Sequence, residues 1–141
     1  MQHEDLFNFL EYSGKDPSRL IFEDELTAVY NRRFLLQFLE YKVGWDNLAE
    51  VPLSLIMMDV DHFKQINDAH GHQVGDQALV WVAGLLKQVA GPRGMPIRYA
   101  GDEFMILLNR CDKSVAMKVG EQLLTRVRRT LFRPGGTDTS M

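Results

Sequence analysis

Several features that mark common classes of protein are scarce or missing in this 141-residue sequence. Its one cysteine, Cys111, cannot form an internal disulfide and cannot by itself make a zinc cluster. Such sparing use of cysteine is typical of a reducing compartment, so we expect a cytoplasmic protein. The 16 basic residues do not outnumber the 19 acidic ones, and this balance argues against a nucleic acid as partner.

Long hydrophobic runs are also missing. The densest later run, residues 78–86, is too short to span a bilayer, and the acidic amino end is unlike a signal peptide, so we expect no membrane contact. The motif GxxxxGK[ST] is absent, which excludes a P-loop NTPase. What is present, with 45% hydrophobic and 25% charged residues, is typical of one globular domain with a substantial core.

The most informative stretch is residues 53–76, LSLIMMDVDHFKQINDAHGHQVGD. Its apolar opening run predicts a strand that is buried on both faces. Asp59 and Asp61 follow on the same side of the strand, because side chains alternate along it. Ligand sites in α/β sheets tend to lie at the carboxyl ends of strands, so these acids indicate a site for metal and phosphate.

Hydrophobic spacing and turn residues predict the other elements. Before the strand, we expect a short helix or frayed terminus over 2–12, a turn-rich linker over 13–18, and a helix over 32–43 capped by Asn31. After it, we expect a helix over 63–69, a loop over 70–75, a helix capped by Asp76, a hairpin with arms 97–99 and 104–108, and a helix capped by Asp112.

The tip of the predicted hairpin, Ala100-Gly101-Asp102-Glu103, carries two further carboxylates. Gly101 can supply the positive φ that a tight turn needs. Acidic residues are common in turns simply because turns are solvated. Asp102 and Glu103 therefore matter for function only if the tip lies beside Asp59.

The polar side chains suggest what this site could hold. Carboxylate oxygens suit Mg²⁺ or Mn²⁺, and these ions take their other ligands from water and phosphates. Lys64 can meet a triphosphate as a point charge, and Asn67 and Asp76 can bond the edge of a base such as guanine. Together these residues predict a metal-dependent site for a nucleoside triphosphate.

A transition-metal site at His70 and His72 is the weaker alternative, because no third ligand is near them in the sequence. A structural or substrate-contacting role is favoured for both histidines. For Asp61 and Asp68, capping and local hydrogen bonds are favoured over a role in chemistry.

Three ordered blocks carry a family resemblance: DELTAVYNRR at 24–33, the stretch from Asp59 to Asp76, and RYAGDEF at 98–104. From about residue 24 to about residue 127, the sequence resembles the GGDEF family of bacterial diguanylate cyclases. The resemblance implies an α/β (α+β) palm-like fold, with a central, mainly antiparallel sheet flanked by helices. It also implies condensation of two GTP molecules, one on each of two facing copies of the domain, to cyclic di-GMP and pyrophosphate.

The resemblance also implies roles for individual residues. By motif position, Asp102 is the catalytic carboxylate and a metal ligand, and Glu103 assists with metal or proton handling. The other implied roles are metal binding by Asp59 and the Val60 carbonyl, guanine recognition by Asn67 and Asp76, phosphate contact by Lys64, and lining of the nucleotide pocket by His72.

The sequence departs from the family pattern in three places. Ala100 replaces the first glycine of the signature, and we expect normal or reduced activity because both carboxylates remain. Gly91 and Gly94 occupy the positions of the Arg-x-x-Asp product-inhibition site, so we expect no feedback through it. Nothing after Phe132 resembles the family's last strands and helix, which would leave a sheet edge unpaired.

The sequence is accordingly divided into an amino-terminal helix and linker at 1–20 and a GGDEF domain at 21–141 that lacks its last elements. We expect a sensory domain upstream, as well as a second copy of the domain as partner. Two alternatives to a cyclase stay open. One is a degenerate module that binds GTP or a protein without catalysis, and the other is an unrelated α/β domain with solvated acids at its loop tips.

Overall fold

A computed structural model describes residues 3–14, 16–45 and 50–129 of the chain. The helices are α1 (His3–Ser13), α2 (Pro17–Phe22), α3 (Arg32–Trp45), α4 (Phe63–His70), α5 (His72–Ala90) and α6 (Lys113–Arg129). The strands are β1 (Tyr30–Asn31), β2 (Leu53–Asp59), β3 (Gly94–Ala100) and β4 (Glu103–Asn109). None of the described helices is long and apolar enough to cross a bilayer.

The four strands form one sheet in the order β1-β3-β4-β2. β4 pairs antiparallel with both β2 and β3, whereas the short β1 pairs parallel with β3. Helices flank this sheet, so the predicted α+β fold with a mainly antiparallel sheet is confirmed. The hairpin arms are longer than the predicted 97–99 and 104–108, and β3 even includes Pro96. Proline is tolerated there because β1 pairs only with Ile97 and Arg98.

The prediction that the strand at 53–58 is buried on both faces is wrong. Among the described strands β2 has only β4 as a neighbour, so it lies at the edge of the sheet. Ile56 and Met58 pack on the larger core, but Leu55 and Met57 of the other face are 41% and 69% exposed. An apolar sequence does not reveal whether a strand is central or at an edge.

Two apolar clusters hold the layers together, one on each face of the sheet. The larger cluster joins the sheet to α5 and α6 and includes Leu79, Leu86 and Phe104, which are buried almost completely. The smaller cluster joins Leu35 of α3 to Ile97, Met105 and Leu107. Burying such large side chains is the main favourable term in folding, at roughly 1.5–3 kcal/mol each.

Helix caps were predicted with mixed success. Asn31 Oδ1 accepts from the Phe34 N–H at 2.9 Å, and Asp112 Oδ1 accepts from the Val115 N–H at 3.1 Å, so both caps are confirmed. The loop at 70–75 and the cap at Asp76 are wrong, because α5 already begins at His72. Gly71, with φ of 89°, is the only residue between α4 and α5, so a single glycine makes the break.

The other corrections also concern short local signals. The predicted helix at the amino end is present as α1, but the linker at 13–18 contains the start of α2. Asp16 caps α2 through the Ser18 N–H at 3.0 Å, and Pro17 opens it, which is a common way for a helix to begin. Gly101 does not have the predicted positive φ, since the positive φ values of glycine fall elsewhere in the described residues.

A turn before β1 is closed by Asp24. Its carboxylate accepts from the Thr27 N–H at 2.9 Å and from the Thr27 hydroxyl at 2.6 Å. The Arg98 guanidinium reaches the same carboxylate at 3.3 Å. Partial burial opposes ionisation, but the Thr27 hydrogen bonds and the Arg98 charge outweigh it and lower the pKa of Asp24.

We expect Asp24→Asn to destabilise the fold by about 1–3 kcal/mol at neutral pH, because charged hydrogen bonds are lost. A lowered pKa in the folded state means that this stabilisation is complete above the unfolded pKa and is lost as pH falls through the folded pKa. The difference from wild type should therefore shrink below about pH 4. Urea unfolding at several pH values measures it. Glu25→Gln, at an exposed neighbouring position, is the control.

Candidate functional site

The acidic hairpin tip does lie beside Asp59. The register of β2 and β4 places Asp59 directly opposite Glu103. The Val60 N–H donates to the Asp102 carbonyl at 3.1 Å, which ties the chain after β2 to the turn between β3 and β4. The carboxylates of Asp59, Asp102 and Glu103, which span 44 positions in the sequence, thus meet at one end of the sheet.

The electrostatics of this end reflect the crowding of like charges. Desolvation, the charge of Asp102, a hydrogen bond between the Asp59 and Asp102 carboxyls, and the charge of Glu103 together raise the pKa of Asp59. Asp59 and Glu103 are exposed and Asp102 is half-buried, so the group faces solvent. A cation placed among these carboxylates would relieve their mutual repulsion.

Arg98 positions the signature turn, a role that the sequence analysis did not assign. Its Nε donates to the Gly101 carbonyl at 3.0 Å, while its Nη1 contacts the two Asp24 oxygens at 3.3 and 3.4 Å. One side chain therefore connects the turn before β1 to the turn that carries Asp102. Arg98 and Asp24 both fall inside the motif blocks, but only the three-dimensional structure shows that they pair across 74 positions.

The residues predicted to bind nucleotide lie on α4 and α5. Lys64 is exposed on α4, and Asn67 is half-buried one turn later. His72 and Asp76 are exposed in the first two turns of α5. The α4–α5 pair packs Asn67 against Gly75, and Asp76 is the next residue along α5.

The donor set is consistent with a hard divalent cation that keeps part of its water shell. Among the described residues, no group of three or more His, Cys, Asp or Glu converges on one metal ion. This includes His70 and His72, so nothing supports the alternative transition-metal site. Asp59 and Asp102 are close enough to share a hydrogen bond, and Mg²⁺ usually takes one or two carboxylates together with phosphate oxygens.

Asp61, Asp68 and Arg32 do not belong to the acidic cluster of Asp59, Asp102 and Glu103. Asp61 and Asp68 are exposed, and His62 rather than Asp61 is the cap residue of α4. Arg32 places its guanidinium 4.8 Å from the centre of the Tyr99 ring, a cation–π contact that explains a basic residue in the first turn of α3.

Two hollows differ in size and in chemistry. One of about 290 Å³ lies across the paired strands β2 and β4 beside Asp59 and Glu103, with Met57, Met58 and Met105 in its wall. A larger one of about 570 Å³ lies under α2, near the Arg19–Glu23 pair and the stacked rings of Tyr30 and Phe34. None of the predicted site residues lines the larger hollow, so the acidic end of the sheet is the candidate site.

Comparison with known proteins gives the family. The profile described as "Diguanylate cyclase, GGDEF domain" matches residues 21–138. The chain belongs to the GGDEF family. It is 36% identical over 110 residues to Diguanylate cyclase DosC of Escherichia coli K12, covering 78% of this chain and 24% of that protein. The chain thus spans about a quarter of the length of this curated relative.

Solved structures of GGDEF proteins have the same fold. The coiled coil and GGDEF domain of DgcB from Caulobacter crescentus, in complex with c-di-GMP, superpose with a TM-score of 0.80 at 29% identity, over 97% of this chain and 70% of that one. The diguanylate cyclase SiaD of Pseudomonas aeruginosa, in complex with its activator SiaC, gives 0.78 at 31% identity, over 98% and 52%. The palm-like fold implied by the resemblance is therefore confirmed.

We expect Asp59→Asn to raise the Tm at neutral pH without divalent cations, because one of the crowded charges is removed. A pKa raised in the folded state means that stability is greatest below the unfolded pKa and is lost as pH rises through the folded pKa. The Tm difference between Asp59→Asn and wild type should therefore vanish at acidic pH, where Asp59 is protonated. Adding Mg²⁺ should raise the Tm of wild type by several degrees and that of the variant far less.

Thermal unfolding by circular dichroism, with and without Mg²⁺, measures both effects. Asp61→Asn is the matched control, since it removes a nearby exposed charge outside the cluster. Equal responses of the two variants would show that the carboxylates at the end of β2 and β4 do not form a cation site.

Proposed function

We propose that this GGDEF domain condenses two GTP molecules to cyclic di-GMP and two pyrophosphates. The observation that carries the proposal is the meeting of Asp59, Asp102 and Glu103 at the end of β2 and β4, at the point where the chain leaves β2 toward α4. The relatives support the reaction class, since DosC is named a diguanylate cyclase.

Asp59, Asp102 and the Val60 carbonyl would hold Mg²⁺ or Mn²⁺, and Glu103, opposite Asp59, would join them once its side chain turned toward the bound ion. When bound there, such an ion would supply activation of the attacking hydroxyl and stabilisation of negative charge on the phosphates. The chain's own contribution is positional: Arg98 and the Val60 N–H fix the backbone on either side of Asp102. With the turn held rigidly, the carboxylates need little rearrangement when substrate binds.

The remaining residues bind the nucleotide. Lys64 would attract the phosphates as an exposed positive charge, and His72 would border the pocket at the start of α5. Asp76 would accept from the N1–H and amino group of guanine, and Asn67 would bond the base beside it. A carboxylate in this position favours guanine, because adenine offers no ring N–H on that edge.

Catalysis requires a second copy of the domain. One site holds one GTP, so the 3′-hydroxyl of each nucleotide attacks the α-phosphorus of the other when two sites face each other. Each attack forms one phosphodiester bond and expels one pyrophosphate. The exposed position of Asp59 and Glu103 leaves the acidic end of the sheet open to such an approach.

The test is incubation of the chain with GTP and Mg²⁺, followed by chromatography for cyclic di-GMP and a coupled assay for pyrophosphate. We expect both products from wild type and a loss of at least about a hundredfold in Asp59→Ala, since one proposed metal ligand is removed. Asp61→Ala is the matched control and should retain activity. Equal product from wild type and Asp59→Ala would overturn the proposed site.

A second candidate function is nucleotide binding without catalysis. The observation in its favour is Ala100, which puts a methyl group at the end of β3, next to the catalytic turn. The Ala100 side chain is exposed, so we expect its methyl group to lower the rate of condensation only slightly. Wild type that binds GTP but forms no product, together with active Ala100→Gly, would establish the second function.

Product inhibition through the Arg-x-x-Asp position should be absent. Gly91 has φ of 71°, which disfavours a side chain, and an ideal Cβ at Gly94 would lie 2.7 Å from the Ala90 carbonyl carbon. We expect the initial rate to stay within about twofold when cyclic di-GMP is added at micromolar concentration. A dose-dependent fall in the rate would show an inhibitory site elsewhere in the chain.

A further inference from the structure

Gly75 lies where α5 packs most closely on α4. It is buried in the first turn of α5, and the hydrogen that takes the place of its Cβ points at Asn67 Oδ1. An ideal Cβ at this position would overlap Asn67 Oδ1 and lie 2.9 Å from Asn67 Cγ and 3.4 Å from Phe63 Cζ. No other residue type fits here without displacing the Asn67 side chain.

The contact determines which way the Asn67 carboxamide faces. Its oxygen is buried and, within the described residues, accepts no hydrogen bond. A carbonyl oxygen can lie against the Cα–H of glycine as a weak acceptor, whereas the two hydrogens of an amino group would collide with it. The oxygen is therefore turned inward, and the Nδ2 group is turned away from Gly75.

An unsatisfied buried oxygen is costly, so the arrangement calls for an explanation outside folding. Its consequence is an oriented donor, Asn67 Nδ2, on the side of the carboxamide away from Gly75, while the exposed carboxylate of Asp76, the next residue of α5, is an acceptor. The Watson–Crick edge of guanine carries the complementary pair, an acceptor oxygen next to N–H donors.

We propose that Gly75 is a positioning residue for base recognition: its missing side chain leaves room for Asn67 Oδ1, so that the amide donor of Asn67 is turned away from Gly75 and toward the base that Asp76 also binds. The proposal rests on the nucleotide-binding function proposed above. It adds that selectivity for guanine depends on a residue that does not itself contact the base.

The test is a double-mutant cycle of Gly75→Ala and Asn67→Ala. Gly84→Ala is the matched control, because Gly84 lies in the same helix with open space around its Cβ position. Binding is measured by calorimetry with Mg²⁺ and the α,β-methylene analogues of GTP and ATP, which cannot be condensed. Thermal unfolding of the same variants without nucleotide measures the packing separately.

We expect Gly75→Ala to weaken binding of the GTP analogue about tenfold and that of the ATP analogue little, while Gly84→Ala changes neither. In the Asn67→Ala background the clash is gone, so Gly75→Ala should cost nothing further in binding and should no longer lower the Tm. If Gly75 had only a structural role, Gly75→Ala would weaken binding of both analogues equally. It would also still lower affinity and Tm in the Asn67→Ala background.

The outcomes separate this proposal from the one on which it rests. If the effects of the two substitutions are additive in both affinity and Tm, the inferred coupling between Gly75 and Asn67 is wrong. An unfolding cycle that shows coupling, with wild type that binds neither analogue, would overturn both the nucleotide site and the base-positioning role. Wild type that binds the GTP analogue, with unchanged selectivity in Gly75→Ala, would overturn only the role of Gly75.

Discussion

The candidate site depends on one side chain, Arg98, which holds two distant turns together. Through Nη1 it pairs with Asp24, and through Nε it holds the Gly101 carbonyl of the signature turn. A planar guanidinium can do both at once because its donors point in fixed directions. Asp24 is in turn held by Thr27, so the turn before β1 supports the turn that carries Asp102.

The sheet supplies the second constraint. Antiparallel pairing of β2 with β4 over seven residue pairs places Asp59 opposite Glu103, and a shift of one residue would move the carboxylate to the other face. The cost is a crowd of negative charge at one end of the sheet, which raises the pKa of Asp59. Functional sites commonly concentrate like charges in this way, because the ligand supplies the compensating charge.

The third constraint is close packing at glycines, where the lack of a side chain lets two parts of the backbone approach each other. Gly75 and Gly94 both lie where a Cβ would meet another part of the chain, against Asn67 and Ala90 respectively. Gly94 lets β3 begin directly beside the end of α5, and Gly75 lets α4 and α5 approach. Glycines of this kind are indistinguishable in sequence from Gly84, whose surroundings are open.

The sequence by itself determined the type of the longer elements, the caps at Asn31 and Asp112, the family, and the three acidic residues that meet at the end of β2 and β4, but it did not predict α2 or β1. These are local or motif-borne signals, carried by neighbouring residues and recognisable without knowing the packing. Only the tertiary structure decided that β2 has β4 as its one neighbour among the described strands, that α5 begins at His72, and that Arg98 joins Asp24 to Gly101. These features arise from contacts between residues far apart in the chain, and neither hydrophobic periodicity nor turn propensity contains information about which distant partner a side chain meets.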